Sequence, residues 1–325
     1  MNLRYSKVLI VLLGVALCAA LLLGCSSGSK EAKYPAKSIE QVVPFAAGGP
    51  VDTSARILAG QVEKDLGQKV VIVNKAGGGA TEGQSYVARA KPDGYTLLTY
   101  TSSLLSNTVS KKVDYTVDSF EPVAMYCFDP EVLVVYANSP YKTVNELVEA
   151  SKQAEITVST PGHSTSHHMA GVLMEQKAGA KFKYVHTKGA AESVPMVAGG
   201  HVMAGLTSWS EVKSLVEQGN LRVIGVMSET RDPRMPNVAT FKESGIDIVY
   251  GAWRGIGVPK GTPPAVVTAL EQAFKKAIES KTIQDSFREN GIPLTFKDAK
   301  GFAEYIKADF ADQKAIIDQL QKAQK

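Results

Sequence analysis

Pro44-Phe45-Ala46-Ala47-Gly48-Gly49-Pro50-Val51-Asp52 joins an apolar run to an amphipathic one, and its paired glycines let successive N–H groups point at one spot. A helix starting near Pro50 would set that spot against unpaired amide donors and about half a positive charge, which holds an anion. Taken singly, such a turn is weak evidence, because most are only connections. Three further stretches carry hydroxyls after an apolar run: Thr101-Ser102-Ser103, Thr160-Pro161-Gly162-His163-Ser164-Thr165 and Thr207-Ser208-Trp209-Ser210. Each Ser or Thr can be a helix cap and nothing more. Four such loops at strand C-terminal ends, where open α/β sheets take ligands, can also converge amides and hydroxyls on one small anion.

His163, His167 and His168 form the densest titratable cluster, and His163 with His167 has the i, i+4 spacing of a helical metal pair. No glutamate follows the first histidine, no cysteine or carboxylate lies close by, and His163 precedes the helix. No metal is therefore expected, and the expected role is a neutral His168 donating a hydrogen bond within its loop. Gly162-His163-Ser164-Thr165-Ser166 has Ser166 where a nucleophile elbow needs its second glycine. Residues 77–83 miss G-x-G-x-x-G by one position and lack the Lys-Ser/Thr of a phosphate loop, so they read as a turn before a helix. Neither a reactive serine nor a nucleotide cofactor is supported, and no cofactor is expected.

Loops of this kind need strands to deliver them. Residues 38–44, 69–74, 95–100, 132–137, 155–159, 183–185, 203–206, 222–227 and 255–258 have strand character. Residues 51–66, 143–152, 166–178, 194–198 and 210–218 have helical spacing, with Gly67 as the C-terminal cap of the first. The alternation predicts an α/β protein with parallel sheets and helices on both faces. After Pro259, residues 263–279, 283–289 and 299–321 form a helical closing segment.

Arg4 and Lys7 precede an uncharged apolar stretch from Val8 to Leu23, an export signal too short to be a comfortable membrane span of about 20 residues. It ends at Leu22-Leu23-Gly24-Cys25, which resembles a bacterial lipoprotein box, so Cys25 is expected to be lipidated after removal of residues 1–24. Residues 25–33 read as a flexible tether. Of three cysteines only Cys127 remains for the folded part, which excludes an internal disulfide. Without the leader, 34 basic residues stand against 32 acidic ones, and no Lys/Arg stripe appears, which argues against nucleic acid.

Ordered blocks then make the chain resemble a known family. They are residues 43–49 with Asp52, residues 66–71 with Asn74, and residues 88–97 (Ala-Arg-Ala-Lys-Pro-Asp-Gly-Tyr-Thr-Leu). Further blocks are Gly162 to His168, Lys188-Gly189, Gly199-Gly200, Trp253, and Pro259-Lys260-Gly261-Thr262-Pro263-Pro264. They resemble the substrate-binding proteins of the tripartite tricarboxylate transporters, the Bug receptor family. The resemblance implies an α/β, type II periplasmic-binding-protein-like fold: two doubly wound domains on a two-strand hinge, closing over a small carboxylate. Phe45, Ala46, Gly48 and Gly49 would grip one carboxylate, with Asp52, Thr101 and Ser102 beside them. Gly162, Ser164, Thr165, His168 and Ser208 would face them, with Trp253 near the crossover. One departure is Pro50, which stands where many members have a glycine and has no N–H to offer. Trp253-Arg254-Gly255 looks like the tricarboxylate-binding branch, making Arg254 a candidate partner for a second carboxylate; a structural Arg at the hinge is the competing reading.

The expected domains are residues 34–134 with 255–325, and residues 137–250, crossing near 135–137 and 249–254. The resemblance implies a monomeric, extracytoplasmic, lipid-anchored receptor that hands its ligand to a large and a small integral membrane subunit driven by an ion gradient. Two alternatives stay open: a chemosensory receptor of the same fold, and a secreted hydrolase using Ser164 and His168.

Overall fold

The computed structural model describes residues 34–323; Cys25, the leader 1–24 and the tether 25–33 lie outside the described residues. Ten strands form one mixed sheet: β1 (Ile39–Val43), β2 (Val70–Asn74), β3 (Thr96–Thr101), β4 (Phe120–Tyr136), β5 (Ile156–Thr160), β6 (Phe182–His186), β7 (Ala204–Ser208), β8 (Leu221–Val226), β9 (Gly251–Pro259) and β10 (Leu294–Lys297). The helices are α1 (Pro50–Leu66), α2 (Thr81–Ala88), α3 (Ser103–Ser110), α4 (Val144–Gln153), α5 (Ser166–Ala178), α6 (Ala190–Ala198), α7 (Trp209–Glu217), α8 (Pro264–Glu279), α9 (Lys281–Glu289) and α10 (Ala299–Ala323). From Lys37 onward the described chain packs as one compact unit.

The expectation of parallel sheets is corrected in part. Strand β1 runs parallel to β2 and β3, and β5 runs parallel to β6 and β7. The long strands that join these groups, β4 and β9, run antiparallel to their neighbours. Strand β4 pairs with β9 from Phe120 to Pro130, then with β7 and β8 from Glu131 to Tyr136. The sheet therefore has two halves sharing one unbroken strand, and partners change between Pro130 and Glu131, upstream of the expected 135–137. Proline has no N–H, so it sits where a ladder bond would otherwise be left over. Only residues 132–137 read as a strand in the sequence because Asp129, Pro130 and Glu131 interrupt the apolar pattern. Both carboxylates are nevertheless fully buried, held by partners far away in the chain.

Each half has its own apolar core. Leu98, Tyr100, Phe120, Trp253 and Phe302 cluster in the first, and Leu133, Val158, Leu206 and Phe241 in the second. Fully burying one such side chain is worth about 1.5–3 kcal/mol. Helix α10 serves both: its Phe302 and Ile306 enter the first core, Ile316 packs against the second, and Ile317 joins Met169 and Val172 of α5 in a small cluster of its own. Short polar devices fix where helices start and stop. Gly67 ends α1 at φ 68° and donates its N–H to Glu63, and Thr143 with Glu146 makes a reciprocal capping box for α4.

Candidate functional site

The loop from β1 to α1 is held from inside. Gly48 has φ +85°, which only glycine adopts without strain, whereas Gly49, at φ −80° and ψ 165°, caps α1 in an ordinary extended conformation. Asp52, 3 % exposed, accepts the Gly48 N–H at 3.0 Å, Asn74 Nδ2 at 2.9 Å and Arg56 Nε at 2.9 Å. Burial alone would raise its pKa, but these bonds hold it below the usual carboxylate value. Asn74 also donates to the Phe45 carbonyl at 3.1 Å. Asp52, expected at the ligand, thus shapes the loop, and the Gly48 N–H is spent on it.

Between the two halves lies a cavity of about 20 Å³. Of the expected residues it brings together Phe45, Thr101, Ser102, Thr165, Trp253 and Arg254. Ser103, from the same hydroxyl stretch as Thr101, lines it too, and His167 and Glu211 join them unforeseen. Thr101 Oγ1 and Ser103 Oγ lie 2.7 Å apart. Trp253 is wedged into the first core beside Tyr100 and Phe302 and donates Nε1–H to Asp309 at 2.6 Å. Arg254 is 2 % exposed, and its guanidinium donates to Cys127 Sγ at 3.5 Å and Ser210 Oγ at 3.3 Å. Among the described residues it forms no ion pair. Burial works against its charge, but the negative field of Asp129 and Glu211, neither of them in contact with it, helps to keep it protonated.

A second buried cation stands opposite. His167 Nδ1 is 2.6 Å from Glu131 Oε2, and its Nε2 is 3.5 Å from Glu211 Oε2. Burial would lower the His167 pKa, yet the two carboxylates raise it; Glu211 in turn is pulled down against its own burial, chiefly by His167, whereas burial leaves Glu131 raised. Ser208 lines neither the cavity nor its rim. It caps α7 and donates its N–H to Glu211 Oε2 at 2.9 Å, so it positions Glu211. The spacing Ser208-x-x-Glu211 is a legible capping box, the one sequence signal that could have pointed to Glu211.

Gly162, Ser164 and His168 also lie off the cavity, along a seam where the halves touch. Ser164, at φ +60°, has its Oγ 2.7 Å from Ser110 Oγ and 2.8 Å from His163 Nδ1, and its carbonyl accepts from Ser106 Oγ. Lys111 Nζ spans the seam, donating to the carbonyls of Gly78 at 2.5 Å and His163 at 2.7 Å. A Cβ on Gly79 would stand 2.2 Å from the His163 carbonyl oxygen, and one on Gly162 would stand 3.1 Å from the Gly79 Cα. Residues 77–83, read as a simple turn, are thus one face of the seam. Farther along, the Ala46 backbone nitrogen lies 3.6 Å from where a Gly189 Cβ would be. His168 does not donate as expected: its Nδ1 accepts the Ser164 N–H at 3.1 Å, and burial beside His186, His163 and Lys111 lowers its pKa to about 3, leaving it neutral.

Residues 54–322 match the family model described as the tripartite tricarboxylate transporter family receptor. The chain belongs to this family. The receptor is 29 % identical to BugT of Bordetella pertussis over 290 residues, covering 87 % of this chain and 88 % of BugT. A TctC solute-binding protein from Polaromonas is 33 % identical, with a TM-score of 0.68 over 88 % of this chain and 99 % of that one. R. palustris Rpa4515, solved with adipate, is 26 % identical, with a TM-score of 0.82 over 87 % of this chain and 97 % of that one. The receptor's fold is that of the type II periplasmic binding proteins. No described helix is long and apolar enough to cross a membrane.

Proposed function

We propose that this receptor captures a small carboxylate outside the cytoplasm and delivers it unchanged to the two integral membrane subunits of a tripartite tricarboxylate transporter. The observation that carries this reading is Arg254, a buried guanidinium that lines the cavity and has no carboxylate of the described chain in contact. A ligand carboxylate would supply the missing partner, and a charge-assisted hydrogen bond to it is worth about 1.5–3 kcal/mol. The exposed edge of the β1–α1 loop and the hydroxyls of Thr101, Ser102 and Thr165 would orient the remainder. Adipate, present with the R. palustris relative, makes dicarboxylates the first ligands to try.

In this reading the 34–134 plus 255–325 and 137–250 regions act as two domains, with the first boundary moved to the change of partners at Pro130–Glu131, and close on the ligand. Cys25 would carry the lipid that holds the chain at the membrane. The pairing of Ser164 with His168 that a hydrolase would use is not the one formed, since His168 Nδ1 accepts the serine's backbone N–H, and the imidazole beside Ser164 Oγ, at 2.8 Å, is that of His163. The test is calorimetry against a carboxylate panel and the matching neutral amides. One or more acids should bind at least tenfold tighter than their amides, about 1.4 kcal/mol; equal affinity for both would refute an anion site.

A further inference from the structure

Three histidines that are far apart in the chain meet at the mouth of the seam. His163 comes from the loop after β5, His168 from the first turn of α5 and His186 from the end of β6. Ring nitrogens from all three lie within 4.8 Å of one another, and the ring centroids are 4.7–5.2 Å apart. His163 and His186 are exposed and His168 is half-buried beneath them, along a groove of about 610 Å³ that is open to solvent. Nδ1 of His186 meets Thr160 Oγ1 at 2.7 Å, and Nδ1 of His163 meets Ser164 Oγ at 2.8 Å. A hydroxyl accepting from Nδ1–H leaves the lone pair on Nε2, the way outer-sphere partners orient imidazoles for coordination.

We propose that His163, His168 and His186 bind one divalent cation that favours imidazole, such as Zn²⁺, Ni²⁺ or Cu²⁺, at a site separate from the carboxylate cavity. Metal–nitrogen bonds of about 2.0–2.1 Å place ligand nitrogens roughly 3.3 Å apart, so the rings must close by about 1.5 Å at most. The two exposed rings can turn to do this. His163 and His186 can coordinate at once, while His168 joins by giving up the Ser164 N–H that its Nδ1 now accepts. Lys111 is the cation nearest the cluster, and its repulsion makes the site weaker than a closed four-ligand one. The helical pair suggested by spacing, His163 with His167, is not involved, because His167 is buried between Glu131 and Glu211.

The test is calorimetric titration of the full chain, purified without a histidine tag, with Zn²⁺ and Ni²⁺, with Co²⁺ absorption bands as a second readout. The wild type should bind one equivalent with micromolar affinity, and His163→Asn and His186→Asn should each weaken it at least tenfold. His186→Asn should keep wild-type carboxylate affinity and circular dichroism, since His186 does not line the cavity. Absence of metal binding in the wild type, or wild-type metal affinity in either variant, overturns the proposal.

Discussion

At the scale of single residues, the site is a set of charges whose partners decide their roles. Arg254 and Asp52 are both buried beside the ligand region, but Asp52 is satisfied by three donors whereas Arg254 has only a thiol and a hydroxyl. Replacing Arg254 by Met should therefore lower carboxylate affinity about 100-fold, close to 2.7 kcal/mol, with little loss of melting temperature. Calorimetry and thermal melts on Arg254→Met measure both quantities; undiminished affinity would make it a structural arginine. The sequence could show which residues had the right chemistry, since Phe45, Thr101, Ser102, Thr165 and Arg254 do surround one cavity. It could not show which were already spent. Glu131, His167 and Glu211 are joined only by the folded sheet, and His186 lies eighteen positions from His168 in the chain yet within 4.8 Å of it in space. Sequence spacing reports neighbours on one helix, and these contacts are made between elements.

At the scale of elements, what a loop or helix does is set by what approaches it. The 77–83 loop approaches the other half so closely that Gly79, at φ +66°, has no room for a side chain: a Cβ would lie 2.2 Å from a backbone oxygen. Gly79→Ala should hold the seam open and weaken carboxylate binding at least tenfold, while Gly49→Ala, whose Cβ meets nothing nearer than 3.9 Å, should remain well folded. Comparing their affinities and melts checks this, and wild-type affinity in Gly79→Ala would show that the seam need not close. The glycine pair was legible as a turn, but which glycine is indispensable depends on what approaches it. Helix α10 supplies Asp309, whose carboxyl accepts from Trp253 and Gln313 and is raised to about 6 by burial. A carboxyl raised above its unfolded value of 3.8 stabilises fully below that value and loses the contribution as pH rises through about 6. Asp309→Asn should thus gain about 1–3 kcal/mol at pH 8 and nothing at pH 4, read from denaturant melts at the two pH values. An equal effect at both would mean that the carboxyl does not titrate in this range.

At the scale of the whole molecule, the arrangement of two cores around one cavity and one seam suits closure over a ligand. The cavity of about 20 Å³ has room for little more than a water, so the halves must part to admit a carboxylate. The bound protein should then be more compact than the opened, ligand-free one, seen as a smaller radius of gyration in small-angle scattering, because Arg254 and the loop hydroxyls come from both halves. An unchanged radius at saturation would point to a preformed pocket. The alternation of strands and helices was readable over much of the chain, and so were the late helices, but the short strand β10 between them was not. Most of β4 could not be read, because its buried acidic residues imitate a loop until their partners His167, Ser210 and Arg234 arrive from α5, α7 and the loop after β8.

That strand has a mechanical consequence. A loose loop between two bodies acts as a pin, with rotation nearly free until something collides. Strand β4 crosses from one half of the sheet to the other with no loop at all, and it stays bonded on both sides of Pro130. Rotation of one half against the other must then be taken up as twist spread along a bonded ribbon, as in a torsion bar. Such a bar resists more the farther it is turned and springs back when let go, so any gaping between the halves would be limited by the stiffness of the backbone itself.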